Sequence, residues 1–231
     1  MKKLVLLAAL LLIGTASGVR ADLADGQAAY LRGDYPAAWS SLRGLAEGGD
    51  AEAQYIVGAM YDHGQGVARS YAQAAEWYRQ AANQGHAEAQ FSLGFMLYNG
   101  TGTNGGAVAQ NYSGAARWFR LAAGQGVVAA RHLLGQMYLR GDGVEKDPAA
   151  ALRWARFAAY QDFAGSQYIV AVLLGNSRVP EDMIESFTWF EVLAQRGYPG
   201  AAANRDAVRE RLTPAQVALG VQRARSWIER N

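Results

Sequence analysis

Residues 51 to 86 read "AEAQYIVGAMYDHGQGVARSYAQAAEWYRQAANQGH", and at residue 87 the chain starts over with "AEAQFSLGFMLYNG". Two more copies follow, "VAARHLLGQMYLRGDGVEKDPAAALRWARFAAYQDF" (128–163) and "AGSQYIVAVLLGNSRVPEDMIESFTWFEVLAQRGY" (164–198). The four segments 51–86, 87–127, 128–163 and 164–198 differ in length chiefly by an enlarged loop in the second of them. A fixed period in this range is the signature of a stacked array, in which each unit buries its apolar face only against its neighbours.

The columns of the alignment say what each unit is. Trp77, Trp118, Trp154 and Trp189 share one position among small and apolar residues at helical spacing, which reads as the buried stripe of a helix. On that reading Trp118→Ala is expected to cost about 3–5 kcal/mol. Seven residues earlier stand Ser70, Asn111, Asp147 and Asp182, side chains suited to accept from the free N–H groups of a first turn. Gly85, Gly126 and Gly197, with Asp162 in the remaining copy, occupy the left-handed stop position. Ahead of this helix runs another. Ala53, Val57, Met60 and Tyr61, repeated as Ala89, Leu93, Met96 and Leu97, lie on one face. Gly58, Gly94 and Gly135 recur inside it despite a propensity cost of about 1 kcal/mol, so a second helix is expected to cross there too closely for a side chain. The fold class is therefore all-α, a solenoid of antiparallel helix pairs.

The flanks complete the organisation. Residues 22–50 hold a shorter copy, with Asp34 as cap and Gly49 as stop, and residues 199–231 read as two capping helices. Thr213, Pro214 and Gln216 have the form of a capping box. Residues 1–21 read as a secretory signal peptide: Lys2 and Lys3, an apolar run from Leu4 to Ile13, then small residues and cleavage near Ala21. The run is shorter than the roughly 20 residues of a membrane span, so the expectation is a periplasmic or secreted chain with no membrane insertion after cleavage. Of the 22 basic residues against 20 acidic ones, Lys2, Lys3 and Arg20 belong to this leader. The remainder sits near −1, with no basic footprint for nucleic acid. There is no cysteine, hence no disulfide framework, thiolate metal site or cysteine nucleophile.

One string suggests chemistry. Gly100, Gly102 and Gly105 spell G-x-G-x-x-G, but the dinucleotide fingerprint needs a preceding strand in a parallel sheet, and a helix precedes this one. Gly100 falls in register with Gly64 and Gly141, so the string reads as an inter-helix loop carrying five extra residues. His63, His86 and His132 occupy unrelated repeat positions without ligand spacing. No G-x-S-x-G or S-x-x-K motif is present. The sequence thus carries no cofactor, metal or catalytic site, and no enzyme is expected.

The run from Leu134 to Asp147, "LGQMYLRGDGVEKD", followed by "AALRWARFAA" (150–159), resembles the Sel1-like repeat, a relative of the tetratricopeptide repeat; residues 22–50 are more similar to a plain tetratricopeptide repeat. The resemblance implies a right-handed superhelix that binds other proteins or peptides, in exported bacterial members as scaffolds or regulators of the cell envelope. A cysteine-rich secreted branch implies a second reading, peptidoglycan- or β-lactam-related ligand binding or hydrolysis. This chain lacks the disulfides of that branch.

With the core assigned, one face of the first helices is left over. Tyr55, then Phe91, Phe95 and Tyr98, then His132 and Gln136, then Tyr168 lie opposite the apolar stripe. They either pack against the adjacent repeat or form an aromatic groove for a peptide or protein segment. The expected partner is a protein of the cell envelope, and the unbound chain is expected to be a monomer.

Overall fold

The computed structural model describes residues 22–101 and 108–231. The leader read in residues 1–21, and Gly102 and Gly105 of the enlarged loop, lie outside the described residues. Every regular element among those described is helical. Helix α1 covers residues 22–31. It is followed by α2 (Tyr35–Glu47), α3 (Ala51–His63), α4 (Tyr71–Asn83), α5 (Ala87–Asn99), α6 (Tyr112–Gly124) and α7 (Val128–Arg140). The remainder are α8 (Pro148–Ala159), α9 (Ala164–Leu174), α10 (Pro180–Gln195), α11 (Ala201–Arg209) and α12 (Pro214–Ile228). The chain divides into two compact units, one ending at Leu121 and the other starting at Ala122. In the first, α2, α3, α4 and α5 pack each on the next; in the second, α7 to α10 do the same, and α11 and α12 both lie on α10. This is the expected solenoid of helix pairs.

The helix ends follow the sequence signals. Ser70 accepts from the Gln73 N–H, Asp147 from Ala149 and Ala150, Asn111 from Gly114, and Asp34 from Ala37. Thr213 and Gln216 form both bonds of a capping box. Gly49, Gly85, Gly126 and Gly197 have positive φ, and Asp162, at φ 62°, takes their place in its repeat. The Asp162 carboxylate also accepts from Gln167 at 3.0 Å and pairs with Arg196. Its side chain therefore offsets the left-handed backbone that glycine adopts freely. Asp182 departs from the expectation. Pro180 starts α10 two residues earlier, so Asp182 lies inside the first turn, accepting from the Ser177 hydroxyl at 2.7 Å.

The burial of the second helices corrects the tryptophan reading. Trp77, Trp118 and Trp154 are half-buried, and of that column only Trp189 is fully covered. The enclosed position is the next one: Tyr78, Phe119, Ala155 and Phe190 are all buried. Both positions lie on the inward side of the helix, and a Trp is too large to be covered completely unless several elements converge on it. Trp189 meets that condition, packing edge-on against Trp227 of α12 at 4.9 Å.

The same position explains the helix glycines. A Cβ on Gly58 would stand 2.8 Å from the Tyr78 ring, and one on Gly94 2.8 Å from the Phe119 ring. At Gly135 the facing residue is Ala155, and the added Cβ would sit 3.4 Å away. Glycine is thus sterically required where an aromatic ring lies across it.

A further column joins consecutive units. Gln54, Gln90 and Gln167 are buried, and the Nε2 of each donates to the carbonyl eight residues earlier, that of Ala46, Ala82 or Ala159. Arg131 does the same through Nε to Ala123 at 3.0 Å. The carbonyls belong to the last turn of the preceding helix, whose acceptors lack intrahelical partners, so one side chain per repeat ties each first helix to the second helix before it.

Candidate functional site

In the first unit the residues left over from the core stripe come together in two groups. Phe91 stacks on Phe95 at 6.0 Å and packs against Phe119 at 5.8 Å. Tyr98 stands 6.2 Å from Phe119 and meets Tyr112 edge-on at 5.2 Å. The rings form one continuous cluster across α5 and α6, and at its outer end Phe95 is 46% exposed. Tyr55 belongs elsewhere: it stacks on His86 at 4.7 Å and packs against Tyr78 at 5.9 Å. Tyr112 and Phe119 are not among the sequence-derived candidates because they lie on the second helix, whereas that set is drawn from the first.

The described ends of the enlarged loop pack beside this cluster. Gly100 ends α5 at φ 64°, a positive φ like that of its in-register partners Gly64 and Gly141, but with ψ 126° where theirs are 37° and 25°. It is a helix stop preceded by a helix, not by the strand that the dinucleotide fingerprint requires. Thr101 and Val108 then pair as an isolated antiparallel bridge, with bonds of 3.0 and 3.2 Å. Val108 is buried with Leu93 and Met96, and the Gln110 amide donates to the Tyr98 carbonyl and the Tyr112 hydroxyl. Asn111 N–H donates to the Leu97 carbonyl, as Ser70 does to Tyr61 and Asp147 to Tyr138. The insertion therefore leaves the hairpin closure of the other repeats unchanged. A cavity of about 480 Å³ opens at the loop base, lined by Ala75, Arg79, Leu97, Val108 and Gln110 among others.

His86 has a role that its position at a unit boundary did not reveal. Its Nδ1 accepts from the Ala89 N–H at 3.1 Å and so caps α5, which leaves Nε2–H to donate to Glu52 at 2.9 Å. Histidine is not among the usual capping residues Ser, Thr, Asp and Asn, which is why it went unread.

In the second unit the remaining residues of the set are held by neighbours. The His132 ring packs on Phe163 at 4.5 Å. The Gln136 amide donates to its Nε2 at 3.1 Å, and its Nδ1–H donates to the Ser166 hydroxyl at 2.9 Å. Tyr168 packs against Phe190 and Tyr198 at 5.8 and 5.4 Å, and its hydroxyl accepts from Asn204 at 3.0 Å.

Burial, with repulsion from Arg140 added, lowers the His132 pKa to about 4. The unfolded chain takes up this proton near pH 6.5 and the folded chain only near 4. Stability from the neutral ring is thus complete above pH 6.5 and is lost as pH falls towards 4. With the discount due to a partly exposed ring, the loss is about 1–2 kcal/mol. Urea midpoints at pH 7 and pH 4 are expected to differ accordingly, and His132→Asn is expected to remove that part of the difference.

The arrangement offers apolar and hydrogen-bonding surface. Among the described residues, no three His, Cys, Asp or Glu side chains are grouped to hold a metal ion, and no helix is long and apolar enough to cross a membrane.

Comparison with known proteins places this geometry. The Sel1 repeat family matches residues 51–86, 87–127, 128–163 and 164–198. A 57-residue stretch, 25% of the chain, is 39% identical to the ERAD-associated E3 ubiquitin-protein ligase components HRD3A and HRD3B of Arabidopsis thaliana. That stretch spans only 8% and 9% of those two proteins. Among solved structures, a Sel1 repeat protein from Oxalobacter formigenes is similar at TM-score 0.66 and 24% identity, covering 91% of this chain and 86% of that one. A protective antigen of uropathogenic Escherichia coli strains displaying an SLR fold is similar at TM-score 0.52 and 24% identity, covering 84% of this chain and 49% of its own.

Proposed function

The chain belongs to the Sel1 repeat family, and from that membership we propose that it acts without catalysis, as a scaffold or regulator that binds a peptide or protein segment of the bacterial cell envelope. The observation that carries the reading is the α5 cluster. Phe95 is a large aromatic side chain left 46% exposed on a rigid helix, continuous with Phe91 and Tyr98 and bordered by the one enlarged loop of the four repeats. An aromatic patch on an ordered helix has the composition of an interface hot spot. The similarity to HRD3A and HRD3B, components of a ligase assembly by name, agrees with an assembly role. The signal-peptide pattern read in residues 1–21 supports an envelope location. Tyr55, stacked on His86, belongs to the same unit as this surface, and His132, Gln136 and Tyr168 are the corresponding partner-binding candidates of the second unit.

Phe95→Ser is the clean test, because Phe91 also packs on the buried Phe119 and its loss would disturb the core. The variant is expected to keep the helical signal and melting behaviour of the parent and to weaken partner binding by about tenfold or more. A photo-crosslinker at position 95 in intact cells, followed by mass spectrometry, is expected to identify a discrete envelope protein. The purified protein is expected neither to turn over nitrocefin nor to retain muropeptides; either activity would overturn the proposal in favour of the ligand-binding branch.

A further inference from the structure

The second unit carries another surface, built from residues that the repeat assigns to no partner. On α8, Phe157 is 58% exposed, and next to it Tyr160 is 56% exposed. These are large aromatic rings on an ordered helix end, where a solvated face would ordinarily be polar. Two recesses meet at Tyr160. One, of about 550 Å³, lies against Arg153, Arg156 and Phe157. The other, of about 300 Å³, is walled by Trp189 and Trp227, with Arg223 and Arg230 at its edge. Tyr160, Trp189 and Trp227 meet one another edge-on, at 5.3, 5.9 and 4.9 Å between centroids, so the walls are held by mutual packing.

The arginines on this surface outnumber the carboxylates that pair with them. Arg156 grips Glu185 with bonds of 3.2 and 2.6 Å and stands 3.9 Å from Asp182, and Arg223 pairs with Glu181. Among the described residues Arg153 has only the Asp147 carboxylate, at 4.0 Å, with its own side chain 69% exposed. The Arg131 guanidinium, whose Nε donates to the Ala123 carbonyl, lies over the Phe157 ring at 5.2 Å, a cation–π contact. Arg230 has no carboxylate partner among the described residues. Arginine with tryptophan and tyrosine is the composition of interface hot spots.

We propose that this surface docks an acidic peptide segment of a partner protein, with an apolar side chain seated beside Tyr160 and carboxylates on Arg153 and Arg230. A nucleic-acid strand fits less well: Glu181 and Glu185 are interleaved with the arginines and would oppose a phosphate at every nucleotide, whereas a peptide can place single carboxylates between them. The surface is separate from the α5 cluster, so the two readings stand or fall independently.

The test uses the full chain and fluorescence anisotropy with an N-terminally labelled peptide, Asp-Glu-Phe-Leu-Glu-Asp. Saturable binding is expected that weakens several-fold as salt is raised from about 0.05 to 0.5 M. Phe157→Ser with Tyr160→Ser, both at exposed positions, is expected to weaken it by about tenfold or more. Arg153→Glu with Arg230→Glu, which touches no buried group, is expected to weaken it similarly and to flatten the salt dependence. Phe95→Ser is expected to leave it unchanged. The proposal is overturned by any of four results: no saturable binding, equal binding of the counterpart with Lys at every acidic position, tighter binding of a labelled oligothymidylate, or full affinity in both double variants.

Discussion

Replacing Phe119 with alanine is expected to cost about 3–5 kcal/mol, the largest loss of any single truncation in the first unit. The side chain is fully buried, lies across Gly94, and touches both Phe91 and Tyr98. No neighbour can collapse into the space, because α5 presents only a glycine hydrogen there, so the cavity term adds to the lost transfer energy. Trp118→Ala, by contrast, removes a half-buried side chain and is expected to cost about 1–2 kcal/mol. Urea denaturation of both variants, with amide hydrogen exchange on α5 and α6 to follow local opening in a repeat array, separates the two residues. Equal losses would return the core to the tryptophan column. Because the aromatic cluster rests on Phe119, Phe119→Ala is also expected to loosen Phe95, so it is unsuited as a binding probe.

Gly94→Ala is expected to destabilise by about 1–3 kcal/mol, although alanine is the better helix former by about 1 kcal/mol. The new methyl would stand 2.8 Å from two carbons of the Phe119 ring and 3.3 Å from the Trp118 Cβ, and a ring wedged between helices cannot move aside as a flexible side chain would. The same change at Gly135 meets Ala155 at 3.4 Å, so there the propensity gain is expected to survive and Gly135→Ala to be neutral or stabilising by up to about 1 kcal/mol. Adding Phe119→Leu to Gly94→Ala is expected to recover part of the loss, a coupling that denaturant midpoints of the two single variants and the double variant measure. Additive losses would show that the glycine serves some purpose other than ring clearance.

Much of this was legible in the one-dimensional pattern. The caps Ser70, Asp147 and Thr213, the stops Gly85, Gly126 and Gly197, and the crossing at Gly58 and Gly94 are local decisions. Each depends on a backbone angle, a free N–H or one missing side chain, and the same residue types recur wherever the need recurs. What went unread involves a second element brought in from elsewhere. Asp182 lost its capping role to Pro180, whose ring sets the first turn two residues earlier. His86 became a cap because Glu52, from the preceding repeat, takes its other nitrogen. The glutamine column at Gln54, Gln90 and Gln167 was visible as a repetition but not as a bond, since its acceptors are carbonyls of a different helix.

The amino-acid order therefore determined the helices, their pairing and the family by itself, because hairpin geometry is set by interactions a few residues apart and then multiplied by the repeat. Only the tertiary structure decided which aromatic rings are core and which are surface. A first helix that packs on both of its neighbours has no simple inside and outside, and the burial of Phe119 against the exposure of Phe95 and Tyr160 depends on the elements that happen to stand opposite them.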